Sequence, residues 1–283
     1  MKRSTLRKSN LPSYFSCALL CILAVSQNSS SLDAKSQSDT ATFNASKIAG
    51  VEEAYLPKLF RSSHAANLLK LYNGDLLCFW FSGTEEGQSK VAIVMSRLAN
   101  SSRQWSQTIE IDHRAERSFQ NPVAFQLPSG RIWLIHTSQP AGKGQANADV
   151  LYLTSDNFGR TWTNPRPLFK EPGSFVRQPP LLVSKNDWLL PIYYTPGLDI
   201  THGAELNYSA VEITSDAGKT WRECRIPDSN GLVQPDIVRF PDGRLLAFLR
   251  SRYADFVYKS TSTNGCDWTP PVATQLPNNN SSF

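Results

Sequence analysis

Polar residues recur along this chain at a nearly constant interval. His64, Asn121, Gln178 and Gln234 are spaced by 57, 57 and 56 residues, and each heads a short hydrophobic run. Four polar side chains at equivalent places in four copies of one unit suggest a shared polar pocket. The alternative is that they hydrogen-bond neighbouring copies and serve structure only. Two carboxylates, Glu85 and Glu86, lie in the loop SGTEEG that follows the first copy. A carboxyl in a partly dry loop can have its pKa raised enough to donate a proton, so Glu86, with Glu85 second, is the candidate general acid; the alternative is a plain solvated turn. His136 and Tyr194 end the second hydrophobic runs of copies two and three and are candidate substrate contacts. His136 could equally be a satisfied structural histidine. No Gly-rich phosphate loop, zinc-ligand spacing or Ser-His-Asp motif stands out, so neither a metal nor an organic cofactor is implied.

What must position these residues is a repeat. HAANLLKLYNGDLLCFWFSG (64–83), NPVAFQLPSGRIWLIHTS (121–138), QPPLLVSKNDWLLPIYYT (178–195) and QPDIVRFPDGRLLAFLRS (234–251) each read as two strands joined by a tight turn. A second motif falls between them. Ser155–Trp162 (SDNFGRTW) is read as a variant of S-x-D-x-G-x-T-W, and Thr214–Trp221 (TSDAGKTW) follows the same pattern. Degraded copies end in Trp105 and Trp268. In such a turn the Asp accepts backbone N–H bonds, Gly supplies positive φ, and Trp packs back between strands. Asp156 and Asp216 are therefore read as structural. A unit of about 56 residues holds four short strands, one blade of a β-propeller. The expected fold class is all-β, with four blades over about 55–112, 113–170, 171–227 and 228–275. A parallel β-helix would need a shorter repeat, and an immunoglobulin-like sandwich would not repeat in sequence.

The remaining features set the boundaries. Hydrophobic residues make up 40% and charged residues 19% of the 283, which permits a packed core. Of the net charge of +5, four charges belong to Lys2, Arg3, Arg7 and Lys8, so the body is nearly neutral and no nucleic-acid partner is expected. That basic stretch precedes FSCALLCILAV (15–25) and the small-x-small site Ala24-Val25-Ser26, so residues 1–26 read as a secretory signal peptide. A membrane is a partner only if residues 15–25 are retained as an anchor. Residues 27–50 read as a disordered leader, and 51–283 as the domain. Beyond the leader, Cys78, Cys224 and Cys266 allow one disulfide at most, with an inert buried thiol expected at Cys78.

The turns Ser155–Trp162 and Thr214–Trp221 resemble the Asp-boxes of the sialidase (neuraminidase) superfamily. The stretches SSHAANLLKLYNGDLLCFWFSGTEEG, QNPVAFQLPSGRIWLIH, VQPDIVRFPDGRLLAFLRSR and LPNNNSS resemble its BNR-repeat, exo-sialidase-like branch. The resemblance runs from about residue 55 to the C-terminus. It implies six blades; the chain shows four units and stops at Phe283 where the next inner strand is due, which reads as truncation. It implies three arginines on a sugar carboxylate, an acidic acid/base, and a Tyr nucleophile activated by Glu. Guanidinium pairs bidentately with carboxylate, and the candidates here are Arg61, Arg177, Arg250 and Arg252. His64 stands roughly where the superfamily's first arginine lies, which brings it among the catalytic candidates. Glu86 falls where this branch keeps GT-x-EG. The nucleophile lies late in the fold; Tyr253 and Tyr258 follow Arg252 without a definite place. The implied activity is exo-hydrolysis of terminal sialic acid or a related acidic sugar of a glycoconjugate. Alternatives are a non-catalytic carbohydrate- or protein-binding propeller and a uronic-acid lyase.

Overall fold

The computed structural model describes residues 41–197 and 203–282, so the expected signal peptide lies outside the described residues. Two short strands, β1 (Asn44–Ala45) and β2 (Glu52–Glu53), pair with each other. Four antiparallel sheets follow in chain order. Blade 1 is β3 (Ser62–Lys70), β4 (Leu76–Gly83), β5 (Ala92–Leu98) and β6 (Ile109–Asp112). Blade 2 is β7 (Arg117–Gln126), β8 (Ile132–Pro140), β9 (Asp149–Ser155) and β10 (Arg166–Phe169). Blade 3 is β11 (Ser174–Val176) and β12 (Leu181–Leu182), both paired with β13 (Trp188–Tyr194), then β14 (Tyr208–Thr214) and β15 (Arg222–Arg225). Blade 4 is β16 (Leu232–Arg239), β17 (Leu245–Ser251), β18 (Phe256–Ser262) and β19 (Val272–Pro277). The four repeats are thus four blades of a propeller, as their periodicity predicts.

In blades 1 to 3 the second strand reads as a nearly continuous apolar run because both its faces are covered, whereas in β17 of blade 4 buried and half-buried residues alternate. Leu77, Phe79 and Phe81 of β4 face blade 2 and pack on Phe119, Ile132 and Leu134. The alternate residues of β8, Trp133 and Ile135, pack on Trp188, Leu190 and Ile192 of blade 3. Leu189 and Val211 pack on Leu245, Ala247 and Leu249 of blade 4. Backbone bonds repeat at each junction: Phe119 N–H to Val91 O, Gly173 N–H to Ala148 O, and Gly231 N–H to Asn207 O. On the other face of β4, Cys78 and Trp80 meet Ala41, with Phe43, Ala54, Leu56 and Phe60 packed around them. Residues 41–50, assigned to the leader by composition, therefore belong to the folded body; a few apolar side chains (Ala41, Phe43) suffice to dock a polar segment on an open blade face.

The Asp-boxes are the turns between the third and fourth strands. Asp216 accepts the backbone N–H groups of Lys219 (3.0 Å) and Thr220 (2.9 Å) and the Thr214 hydroxyl (2.8 Å). Bonds from Thr220 and its neighbours hold its carboxyl well below the usual carboxylate range. In blade 2 the corresponding residue is Asn157, whose Oδ1 accepts the N–H groups of Arg160 and Thr161. Asp156 is not the box residue; it pairs at the surface with Arg131 at 2.7 Å. The box glycine is required twice over. Gly218 has φ +85°, and a Cβ there would lie 2.8 Å from Trp188 and 3.0 Å from Trp133 of blade 2. The degraded copy in blade 4 keeps the same bonding, with Asn264 Oδ1 accepting from Cys266 and Asp267. That turn also carries the disulfide, Cys224–Cys266, which ties β15 of blade 3 to blade 4. Cys78 is buried in β4, outside it.

Candidate active site

The inner strands of blades 1, 2 and 4 share an irregularity. Their register slips between His64 and Asn67, Gln120 and Val123, and Val233 and Asp236. At each slip one residue takes a left-handed backbone: Ala65 (φ 52°), Asn121 (φ 49°) and Gln234 (φ 52°). Such a bulge re-aims a side chain, and strain of this kind collects at functional sites. In blade 3 the same place is the break between β11 and β12, where Arg177 and Gln178 lie half-buried. Ala65, not His64, is therefore the equivalent of Asn121 and Gln234. His64 is one residue out of phase, exposed, and set against the Phe81 ring at 5.3 Å. A one-residue offset is invisible in a spacing of 57 against 56.

The bulges converge on Tyr193. Its hydroxyl receives 3.5 Å bonds from Asn121 Nδ2 of blade 2 and Gln234 Nε2 of blade 4. Its ring packs with Ala148, Phe175 and Val233, so residues of three blades meet around it. Burial pushes the Tyr193 hydroxyl up, against the pull of Arg252, the Gln234 bond, Arg250 and Arg177. Three arginines are thus within electrostatic reach of one buried phenol. Arg250 Nη1 donates to Gln234 Oε1 at 3.0 Å, while its Nε and Nη2 both donate to Asn280 Oδ1 at 3.0 and 2.8 Å. Two neutral amides brace this guanidinium and leave two of its five N–H groups for a ligand. Arg252 Nη2 donates to Gln145 Oε1 at 3.2 Å. Burial lowers the pKa of Arg177 and of Arg250, and for Arg250 the Arg252 charge adds to this. The acids that oppose these charges are Asp236, acting on Arg177, and Glu86, acting on Arg250. Three cations against two acids, in a partly dry site, suit an anionic ligand.

Of the residues singled out from sequence, Asn121, Gln234, Arg177, Arg250, Arg252 and Glu86 come together, with Gln178 next to Arg177. Glu86 is exposed rather than in a dry loop. What separates it from the equally exposed Glu85 is position: Glu86 lines a cleft of about 280 Å³ that also includes Gln145, the partner of Arg252. Arg61 is exposed. His136 is fully buried and points to blade 1, its Nε2 3.0 Å from Asp112 Oδ2, so it is a structural histidine. Tyr194 faces blade 2 and donates from its hydroxyl to Glu212 Oε1 at 3.2 Å. Side chains alternate along a strand, so His136 and Tyr194 are each one residue from the axis position that Arg250 holds in blade 4. Alternation counted from Arg250 would have selected Tyr193, which sequence reasoning missed. Asn280, in LPNNNSS, gave no chemical signal of its own. Among the described residues no group of three His, Cys, Asp or Glu side chains could hold a metal ion.

Glu212 gives a test of the Tyr194 assignment. Burial, then the Glu223 charge, pushes its carboxyl up from 4.5 to about 7. An acid raised in the folded state favours the protonated fold, so stability falls as pH rises from about 4.5 through 7. Glu212→Gln keeps an acceptor for Tyr194 and removes the charge. Urea unfolding should show the variant more stable than the parent by up to about 3 kcal/mol at pH 8 and equal to it near pH 4.

The sequence pattern described as a BNR repeat-like domain matches residues 74–283. No curated protein sequence matches the chain. Among solved structures, it is similar to the Hadza microbial sialidase Hz136, at 15% identity and a TM-score of 0.64, over 77% of this chain and 48% of that one. It is similar to the NanB sialidase from Streptococcus pneumoniae, at 14% identity and 0.63, over 76% and 52%. It is also similar to the intramolecular trans-sialidase from Ruminococcus gnavus, at 13% and 0.63, over 76% and 71%. At these identities the likeness is one of fold, and the chain spans about half the length of the first two.

Proposed function

The chain belongs to the BNR repeat-like domain family, and from that premise we propose that it is a sialidase-like exo-glycoside hydrolase acting on terminal sialic acid or a related acidic sugar of glycoconjugates. The observation that carries this is the gathering of Arg177, Arg250 and Arg252 around Tyr193, beside a cleft lined by Glu86. The arginines take the sugar carboxylate, Glu86 delivers the proton to the departing glycosidic oxygen, and a water oxygen forms the new bond at the anomeric carbon, its proton restoring Glu86. The sequence reading of residues 1–26 as a signal peptide makes secretion part of the proposal, and the Cys224–Cys266 disulfide suits an oxidising compartment.

One observation favours a second reading, a propeller that binds acidic glycans without cleaving them. The Tyr193 hydroxyl is buried, its pKa is raised, and its bonds come from two amides rather than from a carboxylate base. Tyr193 is accordingly given a positioning role and not that of nucleophile. Release of methylumbelliferone from its α-sialoside separates the readings. Hydrolysis that drops about 100-fold in Glu86→Gln is the expected result. Binding on a glycan array with no turnover leaves the second reading, and absence of both removes the two together.

A further inference from the structure

We infer that the junction of blades 3 and 4 holds a second ligand site, at the end of the blades away from the arginine cluster, for arginine with a free carboxylate, either as the amino acid or at the end of a peptide. Three junctions repeat one geometry, and two of them are filled from within. In each blade one backbone bond closes the inner hairpin, which makes Asp75, Arg131 and Asp187 equivalent. Two residues further on, Leu77, Trp133 and Leu189 correspond, and paired with them on the next strand are Arg97, Thr154 and Ile213. Between blades 1 and 2 the slot is filled by Arg97. Its Nη1 donates to Asp75 Oδ2 at 2.7 Å, and its Nη2 donates to the carbonyl of Phe158, just before the box glycine of blade 2. Between blades 2 and 3 the Trp133 indole fills it, packed edge-on against Trp188 at 5.4 Å and set against Gly218. Between blades 3 and 4 the carboxylate remains, as Asp187, but Ile213 stands in place of the arginine and Leu189 in place of the indole. A cavity of about 300 Å³ lies there, bounded by these three residues, Leu245, and Asn264 just before the box glycine of blade 4.

Arg97 shows what the slot accepts: a guanidinium on a flexible aliphatic stem. Asp187 is half-buried, and its carboxylate accepts from the Ser184 hydroxyl but makes no ion pair among the described residues. It is free to take a guanidinium as Asp75 does. Leu189, Ile213 and Leu245 give the stem an apolar wall. Two cations, Arg222 and Arg239, line the rest of the cavity. They repel a bare cation, so the ligand must also bring an anion to them, and a carboxylate suits a guanidinium pair. Arg222 is placed by the disulfide, its Nη1 donating to Cys266 Sγ at 2.9 Å and to Cys224 Sγ at 3.2 Å. Arginine with its carboxylate free therefore meets Asp187, the apolar wall and the two guanidinium groups in that order. The site is separate from the axis: Leu245 opens β17, and Arg250 lies roughly 16 Å of strand further on.

Calorimetric titration of the full chain with L-arginine, L-citrulline, agmatine and Nα-acetyl-L-arginine tests the site. L-Arginine should bind with a Kd below about 1 mM. Citrulline, whose neutral urea replaces the guanidinium, and agmatine, which lacks the carboxylate, should each bind about tenfold more weakly. Asp187→Asn should also cost about tenfold. Ile213→Arg copies blade 1 by setting a guanidinium beside Asp187, and should abolish binding without lowering the melting midpoint; if that variant does not fold, Asp187→Asn still decides. Arg250→Ala should leave arginine binding unchanged, and Asp187→Asn should leave binding of N-acetylneuraminic acid unchanged, so the two sites fail separately. Acetylated arginine bound as tightly as arginine assigns the site to a peptide end, and a loss of about tenfold assigns it to the free amino acid. No saturable binding of arginine, citrulline bound as tightly as arginine, or binding undiminished in Asp187→Asn overturns the site. Tighter binding in Arg239→Ala overturns it too, since Arg239 would then be filling the slot itself.

Discussion

Arg250→Ala should weaken binding of a carboxylate-bearing sugar by about 100-fold, the loss expected when one partner of a desolvated, hydrogen-bonded charge pair is truncated. The size follows from how the side chain is held. Gln234 and Asn280 together take three of its N–H groups, so its orientation is set before a ligand arrives. Arg250→Lys keeps the charge but loses the planar fork, and should cost about tenfold. Asn280→Ala removes a brace and leaves the charge, so its effect should be smaller than that of Arg250→Ala and visible in binding without loss of folding. Arg61→Ala serves as the control, because Arg61 is an exposed surface charge. Calorimetric titration with free N-acetylneuraminic acid reads all four. Equal losses for Arg61→Ala and Arg250→Ala would falsify the site, since only a general surface-charge effect treats them alike.

Removing the disulfide should cost about 4 kcal/mol, because Cys224 and Cys266 close a loop of 42 residues whose entropy the bond withdraws from the unfolded chain. For a domain of this size the melting midpoint of Cys224→Ser/Cys266→Ser should fall by roughly 10 °C. The location adds a directional expectation. The bond joins the outer strand of blade 3 to the Asp-box turn of blade 4, so hydrogen exchange in β18 and β19 should rise before that in blades 1 and 2. Melting with and without a reductant gives the same comparison on the unaltered chain. Identical midpoints would mean that the two thiols are not joined in solution.

Much of this architecture was legible in the residue order. The 56–57-residue interval, the Asn-Gly and Asp-Gly turns and the Trp-ended boxes marked four blades to within a few residues, since each is a local device with a fixed backbone requirement. Even the degraded box at Ser262–Trp268 formed as its better-preserved relatives do. Local pattern misled where two chemically similar residues stood side by side. The pattern points to Asp156 as the box acid although Asn157 makes the backbone bonds, and to Tyr194 as a substrate contact although Tyr193 receives the bonds from Asn121 and Gln234.

The sequence by itself determined the strand content, the turns and the interblade apolar faces, because alternation and glycine placement act within a few residues. Tertiary structure decided which polar groups share a pocket. A bulge of one residue in the inner strands of blades 2 and 4 brings Asn121 and Gln234 to one hydroxyl, and the same bulge in blade 1 leaves His64 one residue out of phase. The guanidinium of Arg250 finds Asn280 thirty positions along, and Arg252 finds Gln145 more than a hundred back. Such partners are chosen by the closing of blades about an axis, and a linear pattern holds no record of that geometry.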